Sequence, residues 1–231
     1  TAEFRQKIVY QFEEDFKGQI VGLGRAGKMP SGFEIDPQPK VQASKNGAEL
    51  TDVTSEVIEG VDGYTVKVYN SGQEGDTVEV DLVWNLKNLL FLYDDIAELN
   101  WQPLTDSSGA IGKFEFHVRG EKEAEKLYFH TGKLFKEGTI EKSNLDYTIR
   151  LDNLPSKRGV ELHAYWPRTD FASARDQGLK GNRLEEFNKI EDSIFKEKEQ
   201  SKQLVTWVFP SILSISLLLS ICFYFIYRRK T

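Results

Sequence analysis

The chain has 231 residues, 39% of them hydrophobic and 29% charged, with a formal net charge of −6, which is enough apolar material for one large or two small domains. All 36 acidic residues but only 27 of the 30 basic ones precede Leu204, so that part carries a formal −9, which argues against nucleic acid or an anionic lipid surface as a partner bound through excess Lys and Arg. A lone cysteine, Cys222, rules out an intramolecular disulfide and a thiolate metal cluster, although exported bacterial domains often do without disulfides.

Up to about residue 167 the pattern is strand-like. "KIVYQFEE", "PKVQAS", "LTDVTSEVIE", "GYTVKVYN", "DTVEVDLVWNL", "GKFEFHVRG", "LDYTIRL" and "GVELHAYWP" are short alternating runs separated by Gly, Asn, Asp and Pro. In "IVGLGRAGKMPSG", Gly22, Gly24 and Gly27 have the G-x-G-x-x-G spacing of dinucleotide-binding folds. A pyrophosphate, however, needs a helix N-terminus after the glycines, and Pro30 and Gly32 stop any helix there. Glu34 and Asp36 come too early to hold a ribose, so the reading is a glycine-rich turn between strands and no nucleotide cofactor.

Asn46-Gly47 supplies the positive φ angles of a tight hairpin, Gly60 to Gly63 joins the next pair of strands, and Ser71 to Gly75 the pair after that. Strands and turns at this spacing predict a mainly β fold, an antiparallel, immunoglobulin-like β-sandwich over residues 1–170, with a sub-boundary near 110 around Asp106-Ser107-Ser108-Gly109. Ile8, Tyr10 and Phe12, and likewise Val78, Val80 and Leu82, are expected to point into the core.

Chemistry is sparsely signalled. His117, His130 and His163 match no metal spacing, and no G-x-S-x-G, H-E-x-x-H or P-loop occurs, so neither a metal nor a catalytic residue is assigned. The densest acidic set is Asp94, Asp95 and Glu98 in "LYDDIAELNW", closed by Trp101. These four are the interaction or ion candidates. A hard cation such as calcium would need backbone carbonyls or water to complete its shell. The alternative is a polar loop pinned at the sandwich end by Leu92, Ile96 and Leu99, with Trp101 covering the core edge.

After Pro167 the texture becomes helical. Asn182 and Glu185 form a capping-box pattern, Glu185/Lys189 and Asp192/Lys196 are i,i+4 pairs, and Leu184, Phe187, Ile190, Ile194 and Phe195 share one face. This predicts a helical juxtamembrane stalk over 171–203. "LVTWVFPSILSISLLLSICFYFIY", residues 204–227, carries no charge and at about 1.5 Å per residue crosses a hydrocarbon core of about 30 Å, which predicts one transmembrane helix. Trp207, Tyr224 and Tyr227 sit near its ends like aromatic belts, Pro210 is expected to kink it, and Ser216 and Ser220 form a small-xxx-small spacing suited to helix pairing. The basic flank at 228–231 favours a cytoplasmic C-terminus and an external sandwich at the cell membrane. The chain opens on Thr1 and stops at Thr231, which suggests a processed protein or a piece of a longer one.

"VYNSGQEGDTVEVDLVWNLKNLLFLYDDIAELNWQPL" resembles the middle of the domain-of-unknown-function 2207 (DUF2207) family of predicted bacterial membrane proteins. The likeness rests on an apolar run, an acidic pair and an E-L-x-W signature, matched by Asp94, Asp95, Glu98, Leu99 and Trp101. "VYQFEEDFKGQIVGLGR" is similar to that family's N-terminal region through Phe16, Gly18, Gly22 and Arg25, and "YTIRLDNLPSKRGVELHAYWP" to its last strand pair, so the likeness spans about residues 4–168. "AGKMPSGFEIDPQP" departs by being longer than the family's step at that point. The resemblance implies an exported N-terminal β domain followed by a span, and it implies no activity. The expected function is therefore a membrane-anchored, non-enzymatic cell-surface module contacting a protein or an envelope polymer. The alternatives are an ectodomain acting on cell wall or glycan through carboxylates, and the structural outer part of a larger membrane assembly.

Overall fold

A computed structural model describes residues 1–25, 29–61, 63–105, 111–131, 138–174 and 179–228. Fifteen strands occur among them: β1 (Ala2–Gln11), β2 (Phe16–Gly24), β3 (Glu34–Ile35), β4 (Lys40–Lys45), β5 (Ala48–Glu49), β6 (Thr54–Gly60), β7 (Gly63–Gly72), β8 (Thr77–Lys87), β9 (Phe91–Leu92), β10 (Ile96–Leu104), β11 (Ile111–Arg119), β12 (Lys126–His130), β13 (Thr139–Ser143), β14 (Asp146–Leu154) and β15 (Val160–Pro167). They form an eight-stranded sheet in the order β13-β14-β11-β1-β8-β4-β5 with β3 also on β8, a four-stranded sheet β12-β15-β10-β9, and a three-stranded sheet β2-β7-β6. Every described pairing is antiparallel. The result is the sandwich that the alternating pattern predicts.

The core follows from that alternation. Along β8, Val78, Val80, Leu82, Trp84 and Leu86 are all buried while the residues between them are partly or fully exposed, because successive side chains of a strand point to opposite faces. The large sheet meets the two smaller ones through Phe4 edge-on to Trp101, ring centroids 4.7 Å apart, and through Tyr64 tilted against Trp84 at 5.8 Å. Of the expected core residues Ile8, Val78, Val80 and Leu82 are buried. Tyr10 and Phe12 are only half-buried. They lie at the end of β1, where Phe12 leaves the strand to stack on Phe16 at 3.6 Å and Tyr10 donates its hydroxyl to Ile20 O. The core thins out there.

Asn46 and Gly47 take φ of 51° and 80° and close the β4-β5 hairpin, as their sequence predicts. The Gly60–Gly63 turn closes β6 on β7. Ser71 to Gly75 does not make a third hairpin, because β7 belongs to the three-stranded sheet and β8 to the eight-stranded one. Asp76 explains the corner: its carboxylate accepts from Gln73 N and Asn46 Nδ2, while Phe12 and the Gly75–Asp76 backbone exchange two hydrogen bonds. The turn is thereby tied to β1 and the β4-β5 hairpin rather than folded back on β7.

Strands from both sides of residue 110 share sheets, since β11 pairs with β1 and β15 with β10, and residues 1–132 with 136–183 form one compact unit. The second unit holds α1 (Leu184–Gln203), a π-helical turn over Leu204–Val208 and α2 (Phe209–Arg228). Within it Glu185 and Lys189 pair at 2.6 Å. The wide turn directly precedes Pro210, whose missing N–H breaks the ordinary i→i−4 ladder. Ser211, Ser214 and Ser220 donate their hydroxyls to Trp207 O, Pro210 O and Ser216 O, so Ser220, one of the two serines of the expected pairing spacing, has its hydroxyl satisfied inside its own helix. The helical run Leu184–Ile221 is long and apolar enough to cross a membrane, with a mean hydropathy of 2.1 in its most apolar window.

Burial sets the effect of charge insertion. Val80→Asp, at a fully buried position, should cost on the order of 4 kcal/mol or more and abolish cooperative urea unfolding of the purified chain. Tyr10→Asp, on the thin end of the core, should cost under about 2 kcal/mol and leave a shifted but cooperative transition.

Candidate functional site

The acidic segment sits where β10 begins. Alternation fails there: Ile96, Ala97, Glu98 and Leu99 are all buried in succession, so both faces of the strand are covered. Leu99 and Trp101 share the face toward the core, and Glu98 points to the other face, yet is only 1% exposed. His163, on the neighbouring strand β15, is equally buried and donates from Nε2 to Glu98 Oε1 at 2.8 Å. Arg183 closes the cluster, its Nε donating to Oε2 at 2.8 Å and its Nη2 to Oε1 at 3.3 Å.

Asp94 and Asp95 hold the same distant segment by its backbone. Gly181 N donates to Asp94 Oδ2 at 2.6 Å, Asp94 N to Gly181 O at 3.3 Å, and Arg183 N to Asp95 Oδ1 at 2.8 Å. The Arg183 guanidinium lies over the Tyr93 ring, 5.6 Å from its centroid. Asp94, Asp95 and Glu98 therefore converge on residues 181–183. Trp101 does not join them.

Burial by itself would raise the Glu98 carboxyl, but the hydrogen bonds from His163 and Arg183, with the charge of Arg183, hold it below the usual carboxylate range. An ionised Glu98 has no proton to give, which makes His163 Nε2 the donor.

Trp101 links this strand to the glycine motif. Its indole Nε1 donates to Gly24 O at 2.9 Å. Gly22 and Gly24 are not in a turn as expected: they form the end of β2, and Gly27 lies outside the described residues. Gly24 does not need a positive φ. A Cβ there would stand 2.5 Å from Gln102 O and 2.8 Å from Thr105 Cγ2, so glycine lets β2 approach β10. Gln6, fully buried, donates from Nε2 to Gly22 O and accepts from Trp84 Nε1.

Gln6, His163, Gly181 and Arg183 were not singled out from sequence. Gln6 carried a signal, being a polar residue in the apolar phase of a strand, between Phe4 and Ile8. Arg183 carried none, because its hydrogen-bond partners Glu98 and Asp95 are 85 and 88 residues away.

Among the described residues no group of three or more His, Cys, Asp or Glu is placed to hold a metal ion. His117 belongs to the large sheet, bonded to Glu115 and Thr148, and His130 stacks on Tyr128. Clefts among the described residues include two on the sandwich. One, of about 490 Å³, runs along the charged outer face of the large sheet past Lys7, Glu79, Lys113, Glu115, Arg150 and Asp152. The other, of about 540 Å³, is walled by Leu89, Leu92, Leu99, Val118, Trp166 and Phe171. Neither is lined by Asp94, Asp95 or Glu98.

Residues 1–166 match the family described as predicted membrane protein (DUF2207), N-terminal domain. The chain belongs to that family. Comparison with curated proteins and with solved structures gives no significant match.

Because the folded-state carboxyl of Glu98 is depressed, its contribution to stability should be complete above the ordinary Glu value of about 4.3 and be lost as pH falls through its own lower value. Urea unfolding of the wild type and Glu98→Gln from neutral pH to about pH 3 should therefore show a gap between them that closes in acid. Gly24→Ala should cost about 1–3 kcal/mol by overpacking against the β10 backbone, and Trp101→Ala about 3–5 kcal/mol by cavity formation plus loss of the Gly24 O bond. Both are read as a lower melting temperature, which added dinucleotide should not restore.

Proposed function

We propose that this DUF2207 member is a non-enzymatic, membrane-anchored module that displays its β-sandwich outside the cell membrane and contacts a protein or an envelope polymer. The observation that carries the reading is the division of the chain. One compact β unit holds most of the charges, and the chain then passes into the one helix among the described residues that is long and apolar enough to cross a membrane. The uninterrupted basic cluster Arg228-Arg229-Lys230 supports a cytoplasmic C-terminus.

Support for a binding rather than a catalytic role comes from how the carboxylates are engaged. Asp94, Asp95 and Glu98 accept hydrogen bonds from the domain's own backbone, His163 and Arg183, instead of facing one another across a cleft as a glycosidase pair would. The outer face of the large sheet offers a polar contact surface. There Arg5 grips Asp81 at 2.7 and 2.9 Å, Lys7 meets Glu79 at 2.9 Å, and Arg150 bridges Glu115 and Glu141 at 2.5 Å each. Opposite charges alternate across neighbouring strands, which suits a partner of mixed charge or a neutral polar polymer better than a polyanion.

Protease added to intact protoplasts carrying the full chain should digest the β unit and leave a membrane-bound C-terminal fragment. Protection until the cells are lysed would place the sandwich inside and overturn the orientation.

A further inference from the structure

We infer that the contacts between residues 93–98 and residues 181–183 form a clasp that holds the 181–183 segment against the start of β10 and can open without unfolding the sandwich. Helix α1 starts at Leu184, so the chain reaches it only through Arg183. That residue is gripped three ways: its backbone N–H by Asp95, its guanidinium by Glu98, and the face of that guanidinium by Tyr93. Two residues earlier, Asp94 exchanges two hydrogen bonds with the Gly181 backbone, and Gly181 sits at a φ of 95° that other residues avoid.

Three features separate this grip from the core. The contacts are polar and ionic, and residues 179–183 add no strand to any sheet. Glu98 points to the face of β10 opposite Leu99 and Trp101, so the side chains that fill the core are not those that hold the clasp. One short run of six residues, 93–98, supplies all the grips on residues 181–183 named above.

The ion pair also makes the joint close to all-or-none. Glu98 is out of water, and removing one partner of such a pair leaves the other charge uncompensated. A half-open state is therefore disfavoured relative to closed and fully open ones. Glu98 acts here as a positioning residue for the chain entering the helix, whatever the sandwich binds and whichever side of the membrane it occupies.

Hydrogen exchange of the full chain in detergent, followed by mass spectrometry, tests this. In the wild type the amides of Gly181 and Arg183 should be protected. Glu98→Gln and Arg183→Gln should each speed exchange in the 179–183 segment by roughly 10- to 100-fold, since each breaks a buried charge pair. Peptides from β8 and β15 should keep their protection, and Arg183→Gln, which leaves Glu98 bonded to His163, keeps the test valid if Glu98→Gln folds poorly. The inference is overturned if the wild-type segment is already unprotected, if neither variant changes it, or if Arg183→Gln loses protection in β8 and β15 together with the segment.

Discussion

The sandwich depends on how one edge strand satisfies its carbonyls. β2 pairs only with β7, so the C=O groups of Ile20, Gly22 and Gly24 on its other edge have no strand to accept from. Each receives a side-chain donor instead: Tyr10 Oη, Gln6 Nε2 and Trp101 Nε1, in that order. The environment changes along the row, from exposed at Ile20 to buried at Gly24, and an unmet carbonyl costs about 1–3 kcal/mol once it is buried. Two of the donors come from β1 in the eight-stranded sheet and one from β10 in the four-stranded sheet. The two other sheets are thus held to one strand of the third by polar contacts, and β2 cannot shift register without orphaning the row.

β10 faces the opposite problem. Its inner face is ordinary core, with Leu99 and Trp101 almost wholly buried, while its outer face buries a carboxylate. A buried charge is tolerable only when paired and hydrogen-bonded, and Glu98 has three donor contacts on its two oxygens. The acidic segment and the glycine segment therefore meet at one strand for different reasons. Trp101 reaches inward to close the β2 edge, and Glu98 reaches outward to His163 and Arg183.

Much of the architecture was legible from local patterns alone. The alternation Val78-Val80-Leu82 requires a strand with one buried face, Asn46-Gly47 requires a tight hairpin, and a run of 24 uncharged residues requires an apolar environment. Each of these is a property of a few neighbouring residues and the solvent, so sequence by itself determines it. Tertiary structure decided what depends on distant partners. It put Gly24 in a strand rather than a turn, paired with Gly63 of β7, and made glycine necessary there because β10 takes the space a Cβ would need. It sent Ser71–Gly75 across to another sheet, because Asp76 and Phe12 bind the corner elsewhere. And it brought Asp94, Asp95 and Glu98 onto Gly181 and Arg183, since hydrogen bonds and ion pairs between residues more than 80 positions apart leave no periodicity or spacing in the chain that forms them.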